Sequence, residues 1–282
     1  MTNSFNRIFF FFFSIFPLSI IAGPTVSLIN LILLILFYCF IFFEQQHYNH
    51  LKNNIVLKLL IFVYLYLIFN SFISIKYEIG IVRNFGFIRL ILLFILINYF
   101  FYKYQKNYKV FNTWSLVIII FVFDVYLERF SGTNIFGWGA VEINGIPQPS
   151  GNRVVSFFKD EPIAGAYLNA FIFLISGYLL LHFKNKNFGN IIFFLLIFSF
   201  FFSVVITGER SNSIKAAICL IVFIGFLDFI KFKYKLIVLI ILTCSIILVI
   251  LNSNYLKNRY LGQLYSEVFV DQKSTFFEDN IY

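Results

Sequence analysis

This sequence is short of charge. Asp, Glu, Lys and Arg together make up 12% of its 282 residues, about half of the ~25% usual in a soluble domain. Too few polar side chains are present to cover a water-soluble globule of this length, and 60% of the residues are hydrophobic. Soluble folds are excluded on that ground, which leaves an integral membrane protein. Cysteine is equally sparse. Cys39, Cys219 and Cys244 each sit inside an apolar run and no C-x-x-C occurs. Neither a zinc site nor a disulfide framework is indicated, and the three are expected to be small buried hydrophobes. His47 and His50 stand three residues apart with no third ligand in view, and no acidic cluster suggests Mg²⁺. No metal and no cofactor is therefore expected. Walker loops, G-x-S-x-G and H-E-x-x-H are absent, and so are internal repeats and the paired Gly/Pro interruptions of inverted-repeat transporters.

What is present is a succession of apolar runs. A helix needs ~20 apolar residues to cross a bilayer core. Candidate spans run Ile8–Ala22, Val26–Phe43, Ile55–Ile75, Phe85–Tyr102, Trp114–Phe130, Pro162–Phe183, Ile191–Ile206, Ile214–Ile230 and Leu236–Leu251, followed by a polar tail, Asn252–Tyr282. The expectation is an all-α, polytopic transmembrane helix bundle of about nine spans, with residues 1–282 forming a single membrane domain. The first run is short and follows Arg7, as in a secretory signal. The step Ala22-Gly23-Pro24 leads directly into the second run, which favours a retained helix.

Net charge is +9, which in such a chain reports topology rather than nucleic-acid binding. With the N-terminus cytoplasmic, the raw Lys/Arg count is tied between the two sides. Clustering separates them. Lys103 to Lys109, Lys184 to Lys186 and Lys231 to Lys235 are short connections without acids and are read as cytoplasmic. The outer side then receives loops near 131–161 and 207–213, and the tail 252–282. It also receives nearly all the arginine: Arg83, Arg89, Arg129, Arg153, Arg210 and Arg259. Lysine suffices as a topology anchor, whereas arginine adds a planar fork that grips phosphate through two parallel hydrogen bonds. This distribution suggests chemistry on an anionic substrate outside the cytoplasm. Ordinary interfacial charges paired with neighbouring acids would look the same.

Three outer segments stand out: DVYLERFSGTNIFG from Asp124, GNRVVSFFKDEPIAGAY from Gly151, and TGERSNS from Thr207. Asp124 and Glu128 are one turn apart and share a helix face. They could bind sugar hydroxyls or hold Arg129 and Arg153, and structural pairing is the better reading. Asp160 is placed to cap a helix that has Pro162 in its first turn. Trp138 could stack on a sugar ring or belong to an interfacial aromatic belt.

In this order and spacing, the three segments resemble the O-antigen ligase and O-antigen polymerase superfamily of bacterial envelope enzymes. The resemblance covers roughly residues 80 to 230. Its first element is an Asp-bearing helix end before a G-x-N-x-x-G loop, matched by Asp124, Gly132, Asn134 and Gly137. Next comes an Arg, a Phe-rich turn and an acidic-Pro step, matched by Arg153, Phe157, Phe158, Asp160, Glu161, Pro162, Gly165 and Tyr167. A T/S-G-x-R-S step opening a helix follows, matched by Thr207, Gly208, Arg210 and Ser211.

The resemblance implies transfer of a glycan from a polyprenyl diphosphate carrier to a glycan or lipid acceptor, and the lack of an acidic cluster makes that transfer, as expected here, metal-independent. The site would lie on the periplasmic face of the bacterial inner membrane, with membrane lipid as surroundings and no nucleic acid as partner. It implies Arg153 and Arg210 beside the diphosphate, each expected at a helix start. The acceptor hydroxyl needs a base, for which Glu161, Asp160 and Glu209 lie within the motifs; Glu161 could instead orient substrate. Asp124, Asn134, Asp160, Glu209 and Ser211 would contact substrate. Family members usually continue through a large periplasmic region, which in ligases carries a His. This sequence ends in FFEDNIY, so its tail is expected to be part of an incomplete periplasmic loop. A transporter or flippase for an envelope lipid is the rival reading. It would need charges lining a path through the membrane, whereas the charges here cluster at span ends. A non-catalytic membrane scaffold is a third.

Overall fold

A computed structural model describes residues 2–39, 45–75, 77–103, 109–139, 153–159, 161–183, 189–227, 231–262 and 265. Among them every regular element is helical. The helices are α1 (Thr2–Ser14), α2 (Phe16–Ile21), α3 (Pro24–Phe37), α4 (Gln45–Lys52), α5 (Ile55–Ile73), α6 (Tyr77–Phe85) and α7 (Ile88–Lys103). They continue with α8 (Lys109–Ser131), α9 (Ala164–Phe183), α10 (Gly189–Ile206), α11 (Arg210–Gly225), α12 (Phe232–Asn252) and α13 (Asn254–Lys257).

Among the described residues, five stretches are long and apolar enough to cross a membrane: Ile55–Ile73, Tyr77–Tyr102, Lys109–Ser131, Ala164–Leu181 and Phe232–Asn252. The expected nine spans are thus met in part. The run from Ile8 to Ala22 is not one helix, because the chain breaks at Ile15 just before Pro17 and resumes as α2. Proline lacks an N–H and crowds the preceding turn, so it begins helices more readily than it continues them. Pro24 likewise opens α3 behind Gly23, whose φ of 128° suits glycine. α3 has 14 residues, a rise of ~21 Å against the ~30 Å of a hydrocarbon core. α11 has 16 and stops at Gly225, short of the expected Ile230. Of the rest of both runs, residues 40–43 and 228–230 lie outside those described. The fourth run extends further back than expected, because α6 precedes α7 across a bend at Gly86.

The surface of these helices is apolar. Only 6% of the most apolar window is buried in α5 and again in α12. Phe62, Phe69 and Leu248 are each about two-thirds exposed. Every 100 Å² of such surface left in water would cost roughly 2.5 kcal/mol; in a bilayer it costs nothing. The same logic corrects the reading of the cysteines. Cys39, Cys219 and Cys244 are all exposed, since an apolar environment outside the helices removes the need to bury them.

Two compact units divide the chain within α8, at Trp114 and Ser115. The first has an aromatic core of Phe9, Phe13, Tyr99, Phe100, Phe111 and Trp114, all fully buried. Phe13 stacks on Phe100 with centroids 4.8 Å apart. The Trp114 indole N–H donates to the Phe13 carbonyl at 2.9 Å, so the one polar atom of that ring is satisfied. In the second unit α9 packs on α10 and α11, and α12 packs on the same two helices. Tyr126 of α8 ties in by donating its hydroxyl to the Ser199 carbonyl of α10 at 2.8 Å.

Candidate functional site

The three segments singled out in the sequence meet at one end of the second unit. Two buried acids of α8 organise that end. Asp124 is fully buried and Glu128 is 3% exposed, and carboxylates so deep must be hydrogen-bonded. One Asp124 oxygen accepts from the Ile135 N–H at 3.0 Å, the other from the Ser156 hydroxyl at 2.6 Å. Glu128 accepts the N–H groups of Val155 at 3.0 Å and Ser156 at 2.6 Å. One helix face thus hooks both flanking loops. Asn134 joins them. Its side-chain oxygen accepts from Phe136 at 2.9 Å and Trp138 at 2.8 Å, and its amide donates to the Ser156 carbonyl at 2.7 Å. The turn around it uses glycine where φ is positive, 87° at Gly132 and 78° at Gly137. Ser156 has a φ of 50°, a region that costs a non-glycine residue. Its N–H, hydroxyl and carbonyl are all engaged by Glu128, Asp124 and Asn134, which offsets that strain.

The third segment closes over this pair. The Thr207 carbonyl accepts from the Val154 N–H at 3.2 Å. Gly208 turns the chain with a φ of 79°. The Glu209 carboxylate accepts the Gly165 N–H at 2.6 Å and the Asn212 side-chain amide. A Cβ on Gly165 would meet Thr207 Oγ1 at 2.9 Å and the Glu209 carboxyl carbon at 3.0 Å, so only glycine lets α9 begin this close. Burial pushes the Glu209 carboxyl above its usual range. The N–H groups of Gly165 and Ala166, the Asn212 amide and the Arg153 charge pull it back in part.

The other expected residues are distributed around this core. Arg153 is half-buried and lies near enough for its charge to act on Glu209. It does not stand at a helix start: a 3-10 turn, Ser156–Phe158, follows, and α9 begins only at Ala164. Arg210 is the first residue of α11, where free N–H groups favour anions. Glu161 and Ser211 are exposed. Asp160 lies outside the described residues. No group of three His, Cys, Asp or Glu able to hold a metal occurs among the described residues.

Sequence reasoning missed the contribution of the tail. After α12 the chain folds back through Ser253, α13 and a π-helical turn, Asn258–Gly262. The Tyr260 hydroxyl donates to the Val205 carbonyl at 2.9 Å and lies 2.6 Å from the Ser213 hydroxyl. Burial pushes that phenol up to about 12, so it stays a donor. The available signal was the i, i+4 pairing of Tyr255 with Arg259, which puts both on one helical face.

No protein family model matches this chain, and no curated protein or solved structure matches it. Chemistry at this end of the unit is therefore read from the residues themselves.

Proposed function

We propose that the chain is a membrane glycosyl-transfer enzyme that moves or polymerises a polyprenyl-diphosphate-linked glycan, in the manner of O-antigen polymerases and ligases. The nine-span topology, the bacterial inner membrane and a periplasmic active face belong to the same reading. The observation that carries it is the bonding of three motif segments, distant in sequence, into one loop cluster at the ends of apolar helices. Arginines and acids are thereby concentrated where a lipid-linked headgroup would lie. The open apolar groove along α8, lined by Phe123, Tyr126, Leu127 and Phe130, suits the isoprenoid chain.

In this mechanism the acceptor hydroxyl attacks the anomeric carbon. The bond from that carbon to the diphosphate oxygen breaks, and the diphosphate leaves with the bonding electrons. Arg153 and Arg210 stabilise the charge that grows on it, an interaction stronger in the transition state than before it. Glu161 takes the proton of the acceptor hydroxyl. It is exposed, and its side chain has no partner among the described residues, whereas both oxygens of Glu209 already accept hydrogen bonds. Glu209 positions Arg153. Asp124 and Asn134 act through the loops they fasten, and Ser211 offers its hydroxyl to a sugar.

The test is complementation of cells lacking the gene, scored by surface-glycan length and attachment. Arg153→Lys and Arg210→Lys are each expected to lower the product at least tenfold while the protein remains in the membrane; unchanged glycan for both would overturn the reading. For the topology, Ser211→Cys in a chain with Cys39, Cys219 and Cys244 replaced by Ala is expected to react with an impermeant maleimide from outside. Protection there would place the site on the wrong face.

A further inference from the structure

Where the tail returns, it brings a phenol into contact with the loop cluster. A Cβ on Gly208 would collide with the Tyr255 hydroxyl, so that oxygen lies directly against the Gly208 backbone. Three arginines from three separate segments gather around it. Arg129, in the last turn of α8, holds its guanidinium 4.1 Å over the Tyr255 ring and donates to the Ser253 hydroxyl at 3.3 Å. Arg259 donates its Nε to the Gly208 carbonyl at 3.2 Å. Arg153 precedes Val154, whose N–H is bonded to Thr207, the neighbour of Gly208, and its charge acts on the Tyr255 phenol. The Tyr255 hydroxyl itself is buried and makes no hydrogen bond among the described residues.

A buried O–H without an acceptor is unfavourable, and most such groups in folded proteins are satisfied. Guanidiniums grouped near one phenol attract an anion with several oxygens, to which each can offer donors. One ligand answers both features. We propose that Tyr255, Arg129, Arg153 and Arg259 form a binding site for a phosphate-type anion, in which the Tyr255 hydroxyl is the neutral donor. Burial raises the phenol above its usual range, and the charges of Arg129, Arg259 and Arg153 moderate this, so the hydroxyl keeps its proton at neutral pH. The site deepens the glycan-transfer reading, on which it rests only for the natural ligand: there it would take the diphosphate, with part of the grip supplied by the tail.

The experiment uses the full chain in nanodiscs of zwitterionic phosphatidylcholine, titrated calorimetrically with inorganic diphosphate. Binding is expected, weakened at least fivefold by Tyr255→Phe and by Arg259→Gln, and unchanged by Arg83→Gln in α6. Tyr255→Phe keeps the ring under Arg129, so its effect reports the hydroxyl alone. Replacing the lipid with phosphatidylglycerol separates the sources. Loss of diphosphate affinity there identifies a lipid headgroup as a ligand of the same site, and retained affinity identifies a soluble or carrier-borne phosphate. Absence of diphosphate binding in both lipids, or equal binding by wild type and Tyr255→Phe, overturns the proposal. Diphosphate binding that depends on Tyr255, together with normal surface glycan in the Arg153→Lys and Arg210→Lys cells, would sink the glycan-transfer reading and leave this site standing.

Discussion

The Ser156 hydroxyl donates to the Asp124 carboxylate at 2.6 Å across 32 residues of chain. That bond joins the end of a membrane-length helix to a serine in the left-handed region, and the loops of the site depend on it. Asp124→Ala leaves the buried Ser156 hydroxyl without its acceptor and frees the Ile135 N–H. A loss of about 2–4 kcal/mol is expected, seen as a lower melting temperature in detergent. Asp124→Asn keeps an acceptor and is expected to lose less.

Gly208 answers to two constraints, its φ of 79° and the Tyr255 hydroxyl against it. Gly208→Ala is expected to destabilise by about 1–3 kcal/mol. Tyr255→Ala in the same chain is expected to recover part of that loss by removing the collision. Non-additivity in a double-mutant cycle, read by thermal melting, checks the contact; simple additivity would mean the two residues do not touch.

Glu209 gives a pH dependence of known sign. Its folded carboxyl is raised by burial, so the native state holds the proton more tightly than the unfolded chain. The resulting contribution is fully present below the unfolded glutamate pKa and is lost as pH rises through the folded one. Glu209→Gln cannot titrate. The stability of the wild type relative to Glu209→Gln is therefore expected to decline as pH rises above the usual glutamate range. A difference that stays flat or grows with pH would contradict the assigned burial.

Trp114 anchors the first unit. Trp114→Ala removes a fully buried ring and its hydrogen bond to Phe13, with an expected loss of about 3–5 kcal/mol. Trp114→Phe retains most of the packing with Phe13 and Phe111 and is expected to lose less than half as much. Denaturant melts of the two variants make the comparison.

For transfer itself, Glu161→Gln is expected to lower turnover about 100-fold if its carboxylate takes the acceptor proton. Substrate affinity should change little, and initial rates over a range of lipid-linked glycan concentrations separate the two effects.

Much of the helical layout was legible in advance because a bilayer demands long apolar runs. α5 begins at Ile55 as expected and ends at Ile73 rather than Ile75, and Asn54 caps it by accepting from the Leu57 N–H at 3.1 Å. Shortfalls came where proline or glycine interrupts hydrophobicity without changing it, as before Pro17 and at Gly225. Averaged hydropathy does not register a missing N–H or a bend.

The sequence by itself determined that this chain is helical and apolar-surfaced, and it marked Asp124, Asn134, Arg153 and Glu209 as unusual residues at span ends, because charge and glycine in a greasy chain stand out locally. Only tertiary structure decided their partners. Asn134 reaches Ser156 over 22 residues, Glu209 reaches Gly165 over 44, and Arg259 reaches Gly208 over 51. Periodicity and spacing describe neighbours within a few turns. Which distant loops share one helix end follows from how the helices pack side by side, and that packing brought a tail read as plain polar loop into the site.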